Sequence, residues 1–299
     1  MENILVSHLE KKLKSTKIEG FIINKGQERV FEYFKNKKVP VNSSKVYSVT
    51  KSIVSLLIGI LMDQRLIKSI HQPISDYFAD MDMEKKEITI LHLLTMTSGQ
   101  KVVNFQGSRN WVNAILEQDL IHEPGEVFEY NSGSSHLLSA IITKVTGVSA
   151  AEFAEKSLFG PLGINKFTWV SDPQRISGGG FSISLSVEDM MKIGKLLIQE
   201  GSYQSKEIVS TEWIKQAVTP FKDVETSEFG TYGYGYQFWT FTSNGTGSGL
   251  DYYCAAGLFG QYIFVVPKLN MIAVAKAQLQ ADNQTLPKVY FEEFLRGLT

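Results

Sequence analysis

Ser48 and Lys51 stand three residues apart in Lys45-Val46-Tyr47-Ser48-Val49-Thr50-Lys51-Ser52, directly before the apolar run Ile53 to Met62. If the first turn is helical from Ser48 onward, hydroxyl and amine lie on one face, within reach of a proton transfer. The start of a helix also offers unpaired N–H groups and a positive dipole end, both favourable to a developing oxyanion. Lysine acts as a base only when neutral, which requires burial or a nearby cation. An ordinary N-cap serine beside a solvated lysine is the alternative reading of the same residues.

The pattern Ser-x-x-Lys has little force alone, since this composition should give roughly two matches by chance. The second match, Ser98-Gly99-Gln100-Lys101, follows Leu93-Leu94-Thr95-Met96-Thr97 and reads as a helix end passing into a loop. Behind Ser48, in contrast, Ile53, Leu56, Leu57, Ile60 and Leu61 recur at three and four residues, with Val54, Ile58 and Met62 on the neighbouring face. A helix apolar nearly all round is a core helix, and about ten apolar residues are too few to cross a bilayer. Burial of its polar start would supply the desolvation that Lys51 needs.

The elements that must position this pair fall into two kinds. Residues 2 to 14 have helical spacing, and Gly20 to Phe34 alternates as a hairpin around Asn24-Lys25-Gly26-Gln27. Past Gln72-Pro73-Ile74 come short helices broken by turn residues, at Ile88 to Met96, Trp111 to Gln118, Ser134 to Val145 and Ala150 to Leu158. Ser186 then caps a helix running to Gln199. Strands are expected over Tyr232 to Thr242, Leu250 to Ala256, Tyr262 to Val266 and Met271 to Ala277, with a final helix from Lys288 to Leu298. The chain thus reads as an α/β region built from both ends, residues 1–75 and 181–299, with a mostly helical region inserted at 76–180 and the site at their interface.

At 299 residues, with 43% hydrophobic and 20% charged residues and a net charge of −1, the chain is an ordinary globular protein with no basic field for nucleic acid. Cys254 is the single cysteine, so an internal disulfide is excluded. The first twelve residues lack a sustained apolar region and predict no secretory leader, hence a cytoplasmic location without membrane contact. The five histidines have no zinc-ligand spacing, no G-x-S-x-G is present, and Gly178-Gly179-Gly180 does not fit a dinucleotide loop. Neither metal nor cofactor is expected.

Two further stretches could face a cleft. Pro124-Gly125-Glu126-Val127-Phe128-Glu129-Tyr130-Asn131-Ser132-Gly133 puts a tyrosine and small polar residues before the apolar helix Leu137 to Ile142. Ala255-Ala256-Gly257-Leu258-Phe259-Gly260-Gln261 lies between two strands, where glycine allows a backbone N–H to approach a ligand closely. An Asn-Ser turn and a hairpin connection are the plain readings of these two. Among the aromatic residues, Trp111 is a candidate for the cleft, whereas the alternation of Tyr232, Tyr234, Tyr236 and Phe238 suits a strand facing the core.

Taken in order, Ser48-Val49-Thr50-Lys51, Ile88 to Gly99, Pro124-Gly125, Tyr130-Asn131-Ser132 and Gly260-Gln261 with its strand to Pro267 resemble the serine β-lactamase and penicillin-binding protein superfamily. The likeness is to its class C-like branch, with esterases and 6-aminohexanoate-dimer hydrolases, and runs from about Tyr47 to Val274. It implies a β-lactamase/transpeptidase-like fold, with an antiparallel sheet flanked by helices. It further implies Ser48 as acylated nucleophile, Lys51 as proton acceptor and Tyr130 as general acid or base. A tyrosine with a pKa of about 10 is a poor base unless a cation lowers that value, and Lys51 is the candidate neighbour. The N–H groups of Ser48 and Leu258 would form the oxyanion hole, with Ser132, Trp111 and Gly257 at the substrate. Two departures stand out: Ser132 replaces the asparagine of many relatives, and no Lys-Thr-Gly motif precedes Gly260. The expected activity is hydrolysis of an ester or amide of a small molecule or peptide, with little β-lactam turnover. A D-amino-acid peptidase and a binding protein that has lost turnover are the rival readings.

Overall fold

The computed structural model describes residues 2–78, 81–226, 230–243 and 248–298. Helix α1 (Glu2–Lys14) leads into β1 (Ile18–Lys25) and β2 (Glu28–Phe34), joined by a tight turn at Gly26 and Gln27. A two-residue strand β3 (Ser44–Lys45) then precedes the buried helix α2 (Val49–Asp63). The middle of the chain holds α3 (Ile90–Leu94), α4 (Trp111–Leu116), α5 (Ser132–Thr146) and α6 (Ala150–Ala154), the last running on as a π-helical turn over Glu155–Phe159. Short strands β4 (Thr168–Trp169) and β5 (Ile183–Leu185) follow, then α7 (Val187–Ile198), the small hairpin β6 (Ser202–Tyr203) and β7 (Lys206–Glu207), and α8 (Thr211–Ala217). The chain closes through β8 (Lys222–Thr226), β9 (Gly230–Tyr234), β10 (Trp239–Phe241), β11 (Tyr252–Gly257), β12 (Gln261–Val266), β13 (Met271–Ala277) and α9 (Leu286–Arg296).

Eight strands form one antiparallel sheet in the order β2-β1-β13-β12-β11-β10-β9-β8, so the first hairpin is sewn to the last strand of the chain. Because side chains alternate along a strand, β1 sends Phe21 and Ile23 to one face and Ile22 to the other. Phe21 and Ile23 join Phe264, Leu13 and Phe291 in a core under α1 and α9. Ile22 joins Ile263, Val274 and the apolar residues of α2, α5 and α7 in a larger core on the opposite face. Helix α2 is therefore surrounded on all sides, as its apolar circumference demands, and residues from Val49 to Leu61 are buried. Among the described residues no single helix is long and apolar enough to cross a membrane.

One expected strand, Tyr232 to Thr242, is in fact two. Between β9 and β10 the chain turns, and Gln237 adopts a left-handed φ of 65°. Its buried amide donates to the carbonyls of Leu93 and Leu94 at 2.9 and 2.8 Å and accepts the Ser135 hydroxyl at 2.6 Å, while its own carbonyl accepts Ser52 Oγ–H at 2.7 Å. The end of α3, the start of α5 and the first turn of α2 are thus tied to one glutamine, and those bonds outweigh continuation of the ladder. Tyr236 accordingly leaves the alternation and packs on Trp213. Helix α8 and strand β8 went unread in the sequence, both being short and without a strong period.

Candidate active site

The strand end before α2 and the strand end before α7 meet in a three-stranded sheet, β3-β5-β4, and Lys51 in the first turn of α2 reaches Gly180, just before β5. The Val46 N–H donates to Ile183 O at 2.9 Å, and the Ile183 N–H donates to Thr50 Oγ1 at 3.2 Å. Buried Lys276 on β13 braces this corner by donating to the carbonyls of Asn42 and Leu185. Tyr47 takes a left-handed φ of 47°, which turns the chain into the helix at Ser48. Ser48 itself has helical angles and makes no capping hydrogen bond through its side chain, so its hydroxyl is left for other use. The plain N-cap reading does not hold.

Lys51 is 1% exposed, and burial alone pushes its pKa down to about 7. Three oxygens surround its Nζ: Gly180 O at 2.6 Å, Ser132 Oγ at 3.0 Å and Ser48 Oγ at 3.5 Å. Among the described residues no carboxylate pairs with it. A neutral amine has two N–H bonds and one lone pair; given to Gly180 and Ser132, the two hydrogens leave the lone pair for the Ser48 hydroxyl. At 3.5 Å that contact is at the outer limit of a hydrogen bond.

Tyr130 and Ser132 arrive from a loop held by Met96. The N–H of Glu129 donates to Met96 O at 2.8 Å, and that of Asn131 donates to Met96 Sδ at 3.3 Å. Asn131 then caps α5 by accepting the Gly133 N–H at 2.8 Å, which sets Ser132 as the first helical residue. The Lys51 nitrogen lies over the Tyr130 ring, 5.0 Å from its centroid. Contrary to expectation, the lysine does not lower the phenol's pKa. Burial pushes it above the ordinary tyrosine value, the Ser48 hydroxyl opposing and Tyr232 adding to the rise. Tyr130 is therefore held as a protonated phenol, and Lys51 is the group that loses its proton at neutral pH.

Gly257, at the end of β11, completes the arrangement. A Cβ added there would lie 2.2 Å from Val46 O and 3.2 Å from the Ser48 nitrogen, so only glycine lets β11 close onto the start of α2. Neither the Ser48 nor the Leu258 N–H has a hydrogen-bond acceptor among the described residues. The turn after Leu258 is fixed by Phe259 and Gly260 at positive φ, by the Gln261 side chain donating to Ala277 O at 2.6 Å, and by the Tyr47–Phe259 ring contact at 5.0 Å. Two unpaired donors beside a hydroxyl make a place where charge on a substrate oxygen would be stabilised.

Ser48, Lys51, Tyr130, Ser132, Gly257 and Leu258 are thus brought together. Trp111 is not placed against Ser48; it packs with Phe105, His136 and Phe181, the last following Gly180. The aromatic ring stacked on Tyr130 is instead Trp239, at 5.3 Å and 28°. The second Ser-x-x-Lys match lies elsewhere, with buried Ser98 bonded to Ser134 Oγ at 3.3 Å and Lys101 exposed. Sequence reasoning missed Gly180 and the backs of its neighbours. A Cβ on Gly179 would sit 2.0 Å from Ser135 O, so the glycine run lies flat on α5 and delivers a carbonyl to Lys51. The three consecutive glycines were the visible signal.

The family model described as Beta-lactamase matches residues 7–293. A 6-aminohexanoate-dimer hydrolase from Paenarthrobacter ureafaciens is 23% identical over 300 residues, covering 89% of this chain and 74% of that protein. Among solved structures, the octameric penicillin-binding protein homologue from Pyrococcus abyssi superposes with a TM-score of 0.80 at 22% identity, covering 99% of this chain and 77% of that one. A D-stereospecific amidohydrolase from Streptomyces sp. gives 0.74 at 14% identity, covering 96% and 98%. At such identities the two structures speak for the fold, and the match along nearly the whole chain speaks for the family: this chain belongs to the beta-lactamase family.

Proposed function

We propose that the chain is a serine hydrolase that forms an acyl-enzyme on Ser48 and hydrolyses an ester or amide bond of a small molecule or peptide. The observation that carries this reading is the state of Lys51: buried, pushed to about 7, and hydrogen-bonded so that its free lone pair faces Ser48 Oγ. In the first step Ser48 Oγ bonds to the substrate carbonyl carbon while its proton passes to Lys51 Nζ, and the carbonyl oxygen gathers charge between the Ser48 and Leu258 N–H groups. Tyr130 gives its phenolic proton to the departing alcohol or amine and is reprotonated at the expense of the Lys51 ammonium. Water then attacks the acyl carbon by the same route in reverse, which returns Ser48.

Linear amides and esters fit better than β-lactams. No lysine or histidine stands at positions 257–259 to hold a substrate carboxylate, and Ser132 is committed to Lys51 at 3.0 Å. The relative named for a 6-aminohexanoate dimer and the structure named as an amidohydrolase are consistent with an acyclic amide. The test is a panel of short-chain p-nitrophenyl esters, linear amides, D-peptides and a chromogenic cephalosporin, offered to the wild type and to Ser48→Ala. Turnover of an ester or linear amide that disappears in Ser48→Ala is expected. Turnover retained by Ser48→Ala, or ligand binding without turnover across the panel, would contradict the proposal.

A further inference from the structure

Helix α5 carries a second polar side chain one turn beyond Ser132, on the same face. His136 is wholly buried, and its Nδ1 accepts the Gly179 N–H at 3.4 Å while Nε2 faces Asp172 Oδ2 at 3.2 Å. A ring nitrogen that accepts an amide hydrogen carries none, so the ring proton sits on Nε2 and is donated to Asp172. The other Asp172 oxygen accepts the N–H groups of Gln174 and Ile176, both at 2.8 Å. Burial works against its charge, but His136 and these amides more than offset that and hold the carboxyl below its ordinary value. Rings of Phe105 and Trp111, with centroids 5.8 and 5.2 Å from the imidazole, keep it from turning.

The peptide group that His136 grips is gripped from its other side as well. Its carbonyl, that of Gly178, accepts Trp169 Nε1–H at 2.9 Å. Three consecutive glycines have more backbone freedom than any other triplet, and no side chain of their own fixes where the Gly180 carbonyl points. What fixes it is the clamp on the Gly178–Gly179 peptide two units before it, the close seat of Gly179 on Ser135 O between them, and the packing of Phe181, the residue after it, on Phe105 and Trp111.

We infer that His136 and Asp172 are positioning residues for Lys51: through the Gly178–Gly179 peptide they fix the Gly180 carbonyl, and with it the direction of the lone pair that takes the Ser48 proton. This rests on Lys51 being the base, as proposed above. A carbonyl held at Nζ stabilises the ammonium more than the amine, so loosening it disfavours the charged form as well as misdirecting the neutral one.

The experiment compares His136→Gln and Asp172→Asn with the wild type, with Trp169→Phe as an independent cut on the other side of the same peptide. Ile141→Val, a core change on the same helix, serves as a stability control. Acylation by p-nitrophenyl acetate is followed from pH 5 to 10, alongside thermal unfolding of each protein. The expected result is a fall in kcat of about tenfold or more at constant KM, with the acid-limb midpoint displaced to lower pH in folded His136→Gln or Asp172→Asn, and a profile of wild-type shape in Ile141→Val. If Lys51→Ala reacts like the wild type, the base assignment and this inference fall together. If Lys51→Ala is dead while folded His136→Gln and Asp172→Asn keep wild-type kcat and midpoint, or lose rate only in proportion to their folded fraction, this inference alone is overturned.

Discussion

The nitrogen of Lys51 lies 2.6 Å from the carbonyl oxygen of Gly180, closer than to the Ser48 oxygen that it would deprotonate at 3.5 Å. Lys51 is thus anchored by backbone 129 residues away in sequence, and Ser48 meets the side of it that remains. Burial without a carboxylate partner then does to the lysine what a paired site could not, which is to leave it half neutral near physiological pH.

That state sets the pH dependence. Below about 7 the ammonium has no lone pair, so kcat/KM should rise with pH through that value and then level off. Lys51→Arg keeps the charge at every accessible pH and should lose about 10²-fold or more across the whole range. A pH–rate profile on a p-nitrophenyl ester checks both. A wild-type profile flat from pH 5 to 9 would remove Lys51 from the proton path.

Tyr130, held protonated by burial, should matter in proportion to how badly the leaving group needs a proton. Tyr130→Phe is expected to reduce hydrolysis of an anilide or alkyl amide by about 10²-fold or more, and of a p-nitrophenyl ester far less. Equal losses on both substrates, from steady-state rates measured side by side, would assign the phenol a structural role instead.

Gly257→Ala puts a methyl group 2.2 Å from Val46 O and 3.2 Å from the Ser48 nitrogen. β11 must then draw back from α2, which separates the two unpaired N–H groups. Acylation should slow by about 10²-fold, the loss typical of one oxyanion donor, with a far smaller change in KM. Single-turnover rates and substrate binding to Gly257→Ala separate the two quantities.

The buried lysine is also a burden on the fold. Its pKa falls from the lysine value of 10.5 to about 7, so the unfolded chain binds the extra proton between those two pH values. Stability from this group accordingly rises with pH from about 7 to 10.5 and is at its minimum below 7. Lys51→Met, inactive, should therefore be more stable than the wild type by on the order of 2 kcal/mol at pH 6, after loss of the two hydrogen bonds, and by much less at pH 10. Urea unfolding at the two pH values measures the difference.

How much of this was legible in the sequence depended on whether the signal was local. The apolar circumference of α2 announced both its burial and the desolvation of Lys51, and the order of motifs announced which tyrosine and which glycine turn would join it. The break at Gln237 was hidden, because alternation of Tyr232, Tyr234, Tyr236 and Phe238 looks the same whether or not a glutamine between them is satisfied by helix carbonyls. The Gly180 carbonyl was hidden for a related reason: it is a backbone atom, and its role comes from packing against α5 and not from a residue type. Trp239 lies within the expected strand Tyr232 to Thr242, and spacing alone does not show that it stacks on Tyr130 once the turn is made.

The central claim is that Ser48 is acylated with Lys51 as its base, and trapping the adduct tests it most directly. The wild type, Ser48→Ala and Lys51→Ala are each incubated with a fluorophosphonate at pH 8, and intact mass is followed by peptide mapping. The account predicts one stoichiometric adduct on the peptide bearing Ser48 in the wild type, none in Ser48→Ala, and at least about 10²-fold slower labelling in Lys51→Ala. Labelling at another residue, or equally fast labelling of Ser48 in Lys51→Ala, would contradict it.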